Sequence, residues 1–158
     1  MTSCFRIALA ILAMSWLSSS GFAQPAADLA VVVHPAVPVS ELSFTDLRNI
    51  LLGDREYWSA RVRITLLIRA PVSRERDVVL KTVYQMTEAQ FRQYWIGKVF
   101  RAETPSGPKI VYSDEMAMDL VNRFPGAITF LEATQLRPGL KVLRIDGRLP
   151  GEKGYPLR

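Results

Sequence analysis

Short runs of apolar, often β-branched residues alternate along this chain with segments that have the start signals of helices. The first run, Leu29 to His34, is continuously apolar and contains three valines, which is typical of a strand buried on both faces, as in a parallel sheet. Further runs follow at Val62 to Ile68, Ile110 to Tyr112, Ala127 to Leu131 and Lys141 to Ile145. This alternation predicts an α/β fold, a three-layer sandwich with a mostly parallel central sheet covered by helices on both faces.

Helices are expected to begin at four capping residues, which are Ser43, Ser73, Thr87 and Ser113. Thr87 and Gln90 form a capping-box pattern. Apolar residues at helical spacing then predict the buried faces, namely Phe91, Tyr94, Trp95 and Val99 in one helix and Met116, Leu120 and Phe124 in the last. We interpret the aromatic face as core packing rather than as a ligand site.

The first residues have the three-part pattern of a secretory signal peptide. A basic lead ending at Arg6 is followed by an apolar run from Ile7 to Leu17 and then by small residues. The apolar run is much shorter than the roughly 20 residues of a membrane-spanning helix. We therefore predict a signal peptide over 1–23, cut near Ala23, then a flexible lead over 24–28 and a single domain over 29–158. An uncleaved anchor or a buried N-terminal helix is the alternative.

Composition excludes several classes of function. The single cysteine, Cys4, lies in the predicted signal peptide, so no disulfide or thiol chemistry is expected after cleavage. His34 is the only histidine, and no nucleotide loop, nucleophile elbow or metal-spaced cluster is present. We expect no enzyme activity, catalytic residue, metal or cofactor. The net charge is +5, but the sequence has no lysine-rich run with interleaved aromatics, so an anionic solute or an anionic envelope surface is favoured over nucleic acid.

Several weak motifs, in a fixed order, resemble the substrate-binding proteins of phosphate ABC transporters. They run from Val31-Val32-Val33-His34-Pro35 through Val39-Ser40-Glu41-Leu42-Ser43, Asp46 to Ile50, Leu52-Gly53, Gln93-Tyr94-Trp95 and Pro125-Gly126-Ala127-Ile128 to Tyr155-Pro156-Leu157. The resemblance implies one lobe of a type II periplasmic-binding-protein-like fold, because the family's opening lobe has no counterpart here. It also implies a periplasmic location and a role in phosphate transport.

The resemblance implies an oxyanion site at residues 69–76. In the family an arginine, a Gly-Ser-Gly-Thr turn and a second arginine hold the oxyanion, and Arg69, Ser73 and Arg76 match that pattern. Val72, Arg74 and Glu75 depart from it. Glu75 would repel a phosphate, whereas Arg74 would either pair with Glu75 or face the anion. The alternative is that Ser73 only caps a helix and the arginines form a solvated face.

His34 and Trp58 are weaker ligand candidates. His34 ends a strand, and the carboxyl ends of strands are where α/β proteins bind ligands. Trp58 could wall a ligand, although both residues have a structural interpretation, in a loop and in packing. We expect weak binding of phosphate or another small oxyanion, helped by a second copy or by an envelope or transporter partner. The alternative is an envelope interaction protein that has lost ligand binding.

Overall fold

The structure, a computed structural model, describes residues 27–158. The predicted signal peptide and residues 24–26 of the predicted lead lie outside this range. Within it the strands are β1 (Leu29–Val33), β2 (Glu41–Leu42), β3 (Tyr57–Ser59), β4 (Val62–Arg63), β5 (Thr65–Arg69), β6 (Lys109–Val111), β7 (Ala127–Glu132), β8 (Lys141–Val142) and β9 (Arg144–Ile145). The helices are α1 (Phe44–Leu51), α2 (Arg74–Val79), α3 (Glu88–Phe100) and α4 (Asp114–Arg123), and a π-helical segment (Leu80–Tyr84) continues α2.

In the described part of the chain, five strands form the central sheet in the order β6-β5-β7-β1-β8. Strand β5 is parallel to both β6 and β7, whereas β1 is antiparallel to both β7 and β8. Four strands therefore run in one direction and β1 in the other, which confirms the mostly parallel sheet. The expectation that β1 joins a parallel ladder is wrong, because its apolar run reflects burial on both faces and not strand direction.

Helices cover both faces of the sheet and complete the three layers. On one face, alternate residues of β1 pack with α1, the π-helical segment and α3 in the larger core cluster. On the other face, Ala30 and Val32 of β1 pack with Ala117, Met118 and Val121 of α4. The period-2 alternation of side chains places successive β1 residues in different cores. The α/β sandwich predicted from the sequence is confirmed.

The four predicted caps are correct. The side chains of Ser43, Ser73, Thr87 and Ser113 each accept a hydrogen bond from the backbone amide three residues on. These bonds satisfy amide groups that lack a partner inside the helix. At Thr87 the Gln90 side chain also accepts from the Thr87 amide, which completes the capping box.

Two predicted strands are each split in the structure. Val62 to Ile68 divides at Ile64, because β4 pairs with β3 in a hairpin whereas β5 joins the central sheet. Gly126 permits this change of partner, since a Cβ there would lie 1.7 Å from the Arg63 carbonyl oxygen. Lys141 to Ile145 divides at the buried Leu143, after which β9 pairs in parallel with β2.

Two predicted helix faces are partly wrong. In α3, Phe91 and Trp95 are buried as expected, but Val99 is exposed and Lys98 is buried instead. Lys98 reaches the carbonyl of Leu52 and the carboxylate of Asp54. In α4 the buried residues are Ala117, Met118 and Val121, not the predicted Met116, Leu120 and Phe124.

The C-terminal tail is fastened to the beginning of the domain. The Leu29 amide donates to the carbonyl of Leu157 at 2.8 Å, and the Tyr155 hydroxyl donates to the carbonyl of Leu29 at 2.7 Å. Burial raises the pKa of Tyr155 well above its usual range, so the hydroxyl stays a donor. The first strand of the sheet is therefore completed by the last residues of the chain.

Candidate functional site

The candidate site lies where β5 and β6 end and the chain turns into α2 and α4. The two strands are parallel, and Arg69 at the end of β5 is paired with Val111 at the end of β6. Asp114, the first residue of α4, follows Val111 by three positions and so reaches the same edge. Ligands of open α/β sheets bind at this carboxyl edge.

Two carboxylates lie near the Arg69 guanidinium, but its Nε forms no hydrogen bond with either. Its Nε lies 3.7 Å from Glu75 Oε2 and 3.7 Å from Asp114 Oδ1. Among the described residues, its buried Nε and Nη1 have no hydrogen-bond partner, and neither has Asp114 Oδ1. A buried polar atom without a partner is costly and calls for an explanation. In the described part of the chain, two donors and one acceptor at this edge are thus buried without a hydrogen-bond partner.

Burial raises the pKa of the Asp114 carboxyl, although the nearby positive charge of Arg69 acts to lower it. The carboxyl of Glu75, whose residue is 7% exposed, faces the same guanidinium. The site therefore combines one arginine with a buried acid, Glu75, and a half-buried acid, Asp114. The two acids distinguish this arrangement from a purely basic anion pocket. The 3.7 Å distances distinguish it from an ion pair with hydrogen bonds.

Arg76 is built into the core beside the site. It is 3% exposed, and its Nε and Nη2 bond to the two oxygens of Glu88 at 2.7 and 2.8 Å. Nη1 donates to the carbonyl of Arg69 at 2.8 Å, and the guanidinium stacks 4.8 Å from the ring centroid of Phe91. Arg76 turns towards α3 whereas Arg69 turns towards α4. The structure therefore does not bring the two arginines together as ligands of one anion.

Ser73 and Arg74 also have internal partners. The Ser73 hydroxyl accepts from the Arg76 amide at 3.2 Å, in the predicted capping role. Arg74 donates to Glu132 at 2.8 Å and to the carbonyl of Ala27 at 2.7 Å. The expected pairing of Arg74 with Glu75 is therefore wrong, because Glu132 at the end of β7 is closer to it.

Val72 keeps the backbone conformation of a glycine. Its φ is 71°, in the left-handed region, and its side chain is 96% exposed. A β-branched residue is strained in this region, because its Cβ crowds the backbone. A valine in this conformation therefore adds strain to the turn. Strain of this kind tends to be retained at functional sites.

His34 and Trp58 lie at the opposite edge of the sheet and do not contribute to this site. Because β1 runs against β5 and β7, its carboxyl end meets the start of β7, where the His34 amide donates to the carbonyl of Ala127. Trp58 is 4% exposed, and its indole donates to the carbonyl of Gly126 at 2.9 Å. The burial of Trp58 fits a packing role, and a ligand role for either residue stays a prediction.

Asp114 is the site residue that the sequence analysis missed. An acidic residue in the first turn of a helix is sufficiently explained by the helix dipole, so its position in the sequence does not indicate a ligand site. The signal that could have found it is the parallel pairing of β5 and β6, which places both loops at one edge. Within residues 27–158 no three His, Cys, Asp or Glu side chains are grouped as metal ligands, and no helix there is long and apolar enough to cross a membrane.

Comparison with solved structures identifies the fold. The structure matches an ABC-type phosphate transport receptor from Vibrio cholerae with a TM-score of 0.63 at 21% identity, over 78% of this chain and 48% of that one. It matches PstS from Borrelia burgdorferi with a TM-score of 0.66 at 17% identity, over 83% and 54%. A putative phosphate ABC transporter substrate-binding protein with bound phosphate from Clostridium perfringens gives 0.60 at 17%, over 77% and 46%.

The sequence matches no protein-family model and no curated protein. The fold nevertheless defines the class of this chain, which is an α/β lobe like those of substrate-binding proteins. More particularly, the resemblance to the phosphate ABC transporter substrate-binding proteins is confirmed at the level of the fold. The chain spans about half the length of these structures, as expected for one lobe.

Proposed function

We propose that this chain is an exported binding-protein-like lobe that holds a small oxyanion at the carboxyl edge of its sheet, with Arg69 as the main ligand. Export rests on the N-terminal sequence pattern, and the oxyanion on the phosphate-binding proteins that share the fold. We place the protein in the periplasm and propose a role in binding, not in catalysis.

The observation that carries this proposal is the state of the Arg69 guanidinium. Two of its buried nitrogens have no hydrogen-bond partner among the described residues, although both neighbouring acids are near. An oxyanion accepts hydrogen bonds from a guanidinium in its plane, so it would satisfy these donors. No comparable donors are left on Arg74 or Arg76, whose guanidinium groups bind Glu132 and Glu88.

The two acids favour a protonated oxyanion over a fully ionised one. Glu75 and Asp114 would repel a dianion, but a carboxylate accepts a hydrogen bond from a ligand that still has a proton. Phosphate is partly protonated at neutral pH, whereas sulfate is not. The site should therefore prefer phosphate, and weakly, since one lobe cannot close over its ligand as two hinged lobes do.

Isothermal titration of the purified protein with phosphate and with sulfate tests the proposal. We expect a small heat of binding with phosphate and a smaller one with sulfate. The Arg69→Gln protein should give no heat of binding with phosphate. Arg123→Gln is the matched control, because Arg123 is an exposed arginine at the end of α4. Phosphate binding that survives Arg69→Gln unchanged, or no binding at all to the wild-type protein, would refute this function.

A second candidate function is docking of a protein chain at the same edge. Val72 and Tyr112 follow the neighbouring strands β5 and β6, and they are 96% and 72% exposed. Exposed apolar residues that cluster mark interaction surfaces. The occupant would be a chain that supplies the second lobe, since this one spans about half of its structural relatives. Crosslinking from the envelope should then capture a partner that Val72→Glu with Tyr112→Glu releases.

A further inference from the structure

A cleft opens at the amino end of β5 and β6, at the edge of the sheet opposite to Arg69. It has a volume of about 200 Å³ and lies between the β3–β4 hairpin, the start of β5 and the loop that joins α3 to β6. An engineered apolar cavity of about 150 Å³ accommodates benzene. The cleft is therefore large enough for one ring with a small substituent.

The floor of the cleft is apolar. Ile64 and Leu66 contribute half-buried side chains, and the ring of Trp95 closes one end. Gly53 leaves room for the Trp95 ring, since a Cβ there would lie 2.9 Å from it. A fully hydrated inorganic ion gains little from such a floor, whereas an apolar ligand body does.

The rim of the cleft is cationic. Arg55, Arg63 and Lys109 lie on it, and Glu56 is the one acid among the lining residues. Glu56 lies 3.4 Å from Arg63, and both side chains are well exposed. Arg55 donates only to the carbonyls of Tyr57 and Trp58, and Lys109 has no ion pair among the described residues. A shallower depression next to the cleft shares Arg63 and adds Arg61.

We propose that this cleft is a second binding site, for a small organic monocarboxylate. The carboxylate lies against Lys109 and Arg63 at the rim, and its compact apolar body lies on Ile64, Leu66 and Trp95. Buried apolar lining with a few convergent polar groups is the usual construction of a small-molecule site. The excess of positive charge on the rim selects the anionic ligand over its neutral analogue.

NMR titration of the purified protein tests this site, with benzoate as the probe. We expect benzoate to shift the indole resonance of Trp95 and the amide of Gly107 with a millimolar dissociation constant. Benzyl alcohol, which has a similar body without the charge, should bind at least about fivefold more weakly, as should benzylammonium, because both lack an attraction to the rim.

Charge reversal gives the matched comparison. Lys109→Glu should weaken benzoate binding at least about fivefold, and Lys153→Glu, the same change in the exposed C-terminal tail, should leave it unchanged. Arg63→Gln is a second rim variant in case Lys109→Glu alters the edge strand. Equal binding of benzoate and benzyl alcohol, or equal affinity in the Lys109→Glu and Lys153→Glu proteins, would overturn the proposal. Arg69→Gln should retain benzoate binding, which separates this site from the oxyanion site.

Discussion

The two edges of the central sheet use positive charge in different ways. At the carboxyl edge, Arg69, Arg74 and Arg76 each lie beside at least one carboxylate, and Arg76 is almost fully buried. At the amino edge, Arg55 and Lys109 have no carboxylate partner among the described residues. At the carboxyl edge Arg74 and Arg76 therefore serve structure, and Arg69 alone is proposed as a ligand residue. The amino edge instead leaves Arg55 and Lys109 available to a ligand. A count of charges along the sequence cannot separate these two uses.

The largest difference between the edges should appear in stability. Arg76→Met removes the buried guanidinium and leaves the partly exposed Glu88 and the carbonyl of Arg69 without their donor, so we expect a loss of about 2–3 kcal/mol in the free energy of unfolding. Lys109→Met, at the amino edge, should change it by less than about 0.5 kcal/mol. Urea unfolding of the three proteins measures both. Equal effects of the two substitutions would remove the distinction between the edges.

The Arg76–Glu88 pair should also make stability depend on pH. The hydrogen bonds from Arg76 hold the pKa of the Glu88 carboxyl below its ordinary value of about 4.5. A carboxyl whose pKa is lowered in the folded protein stabilises it above the unfolded-state pKa and loses this effect as pH falls through the folded-state pKa.

We therefore expect Glu88→Gln to cost about 1–2 kcal/mol at neutral pH, since Glu88 is about one-third exposed. The difference in the free energy of unfolding between this variant and the wild-type protein should become smaller below about pH 4.5, as Glu88 takes up its proton. Urea unfolding at pH 7 and about pH 3 gives the comparison. Asp119→Asn, an exposed change in α4, serves as control. A difference in the free energy of unfolding that stays constant with pH would show that the Arg76–Glu88 pair contributes no charge-dependent stability.

The smallest expected effect concerns Val72, in the strained turn of the carboxyl edge. Val72→Gly removes the left-handed strain of about 1–2 kcal/mol, partly offset by the greater freedom of glycine in the unfolded chain. We expect a net stabilisation of about 0.5–1 kcal/mol, visible as a higher Tm. Val72→Asn should stabilise less, since asparagine tolerates this conformation better than valine does. A lower Tm in both variants would mean that the valine side chain itself stabilises the turn.

Local signals in the sequence were enough to predict much of the fold. The four helix caps depend on hydrogen bonds within three residues, so the sequence alone contains them. The direction of β1 could not be predicted, because a strand buried on both faces has the same composition in either direction. The breaks at Ile64 and Leu143 could not be predicted either. Both residues continue an apolar run, and the change of strand partner depends on distant segments.

The candidate site was predicted less completely than the fold. The resemblance led to Arg69, but the inward turn of Arg76 depends on Glu88, which lies on the following helix. Arg74 is drawn to Glu132 across 58 positions of sequence. Contacts of this kind are tertiary, and no spacing rule within residues 69–76 contains them. Asp114 was missed for the same reason.

The hydrogen bond between Leu29 and Leu157 bears on the order in which the domain folds. Every sheet partner of β1 lies at or beyond Ala127. The amide of its first residue, Leu29, donates to the carbonyl of Leu157. The five fully apolar residues of β1 thus stay unprotected until these distant segments pair with them. Non-local pairing of this type slows folding. Apolar surface that stays exposed during folding promotes aggregation.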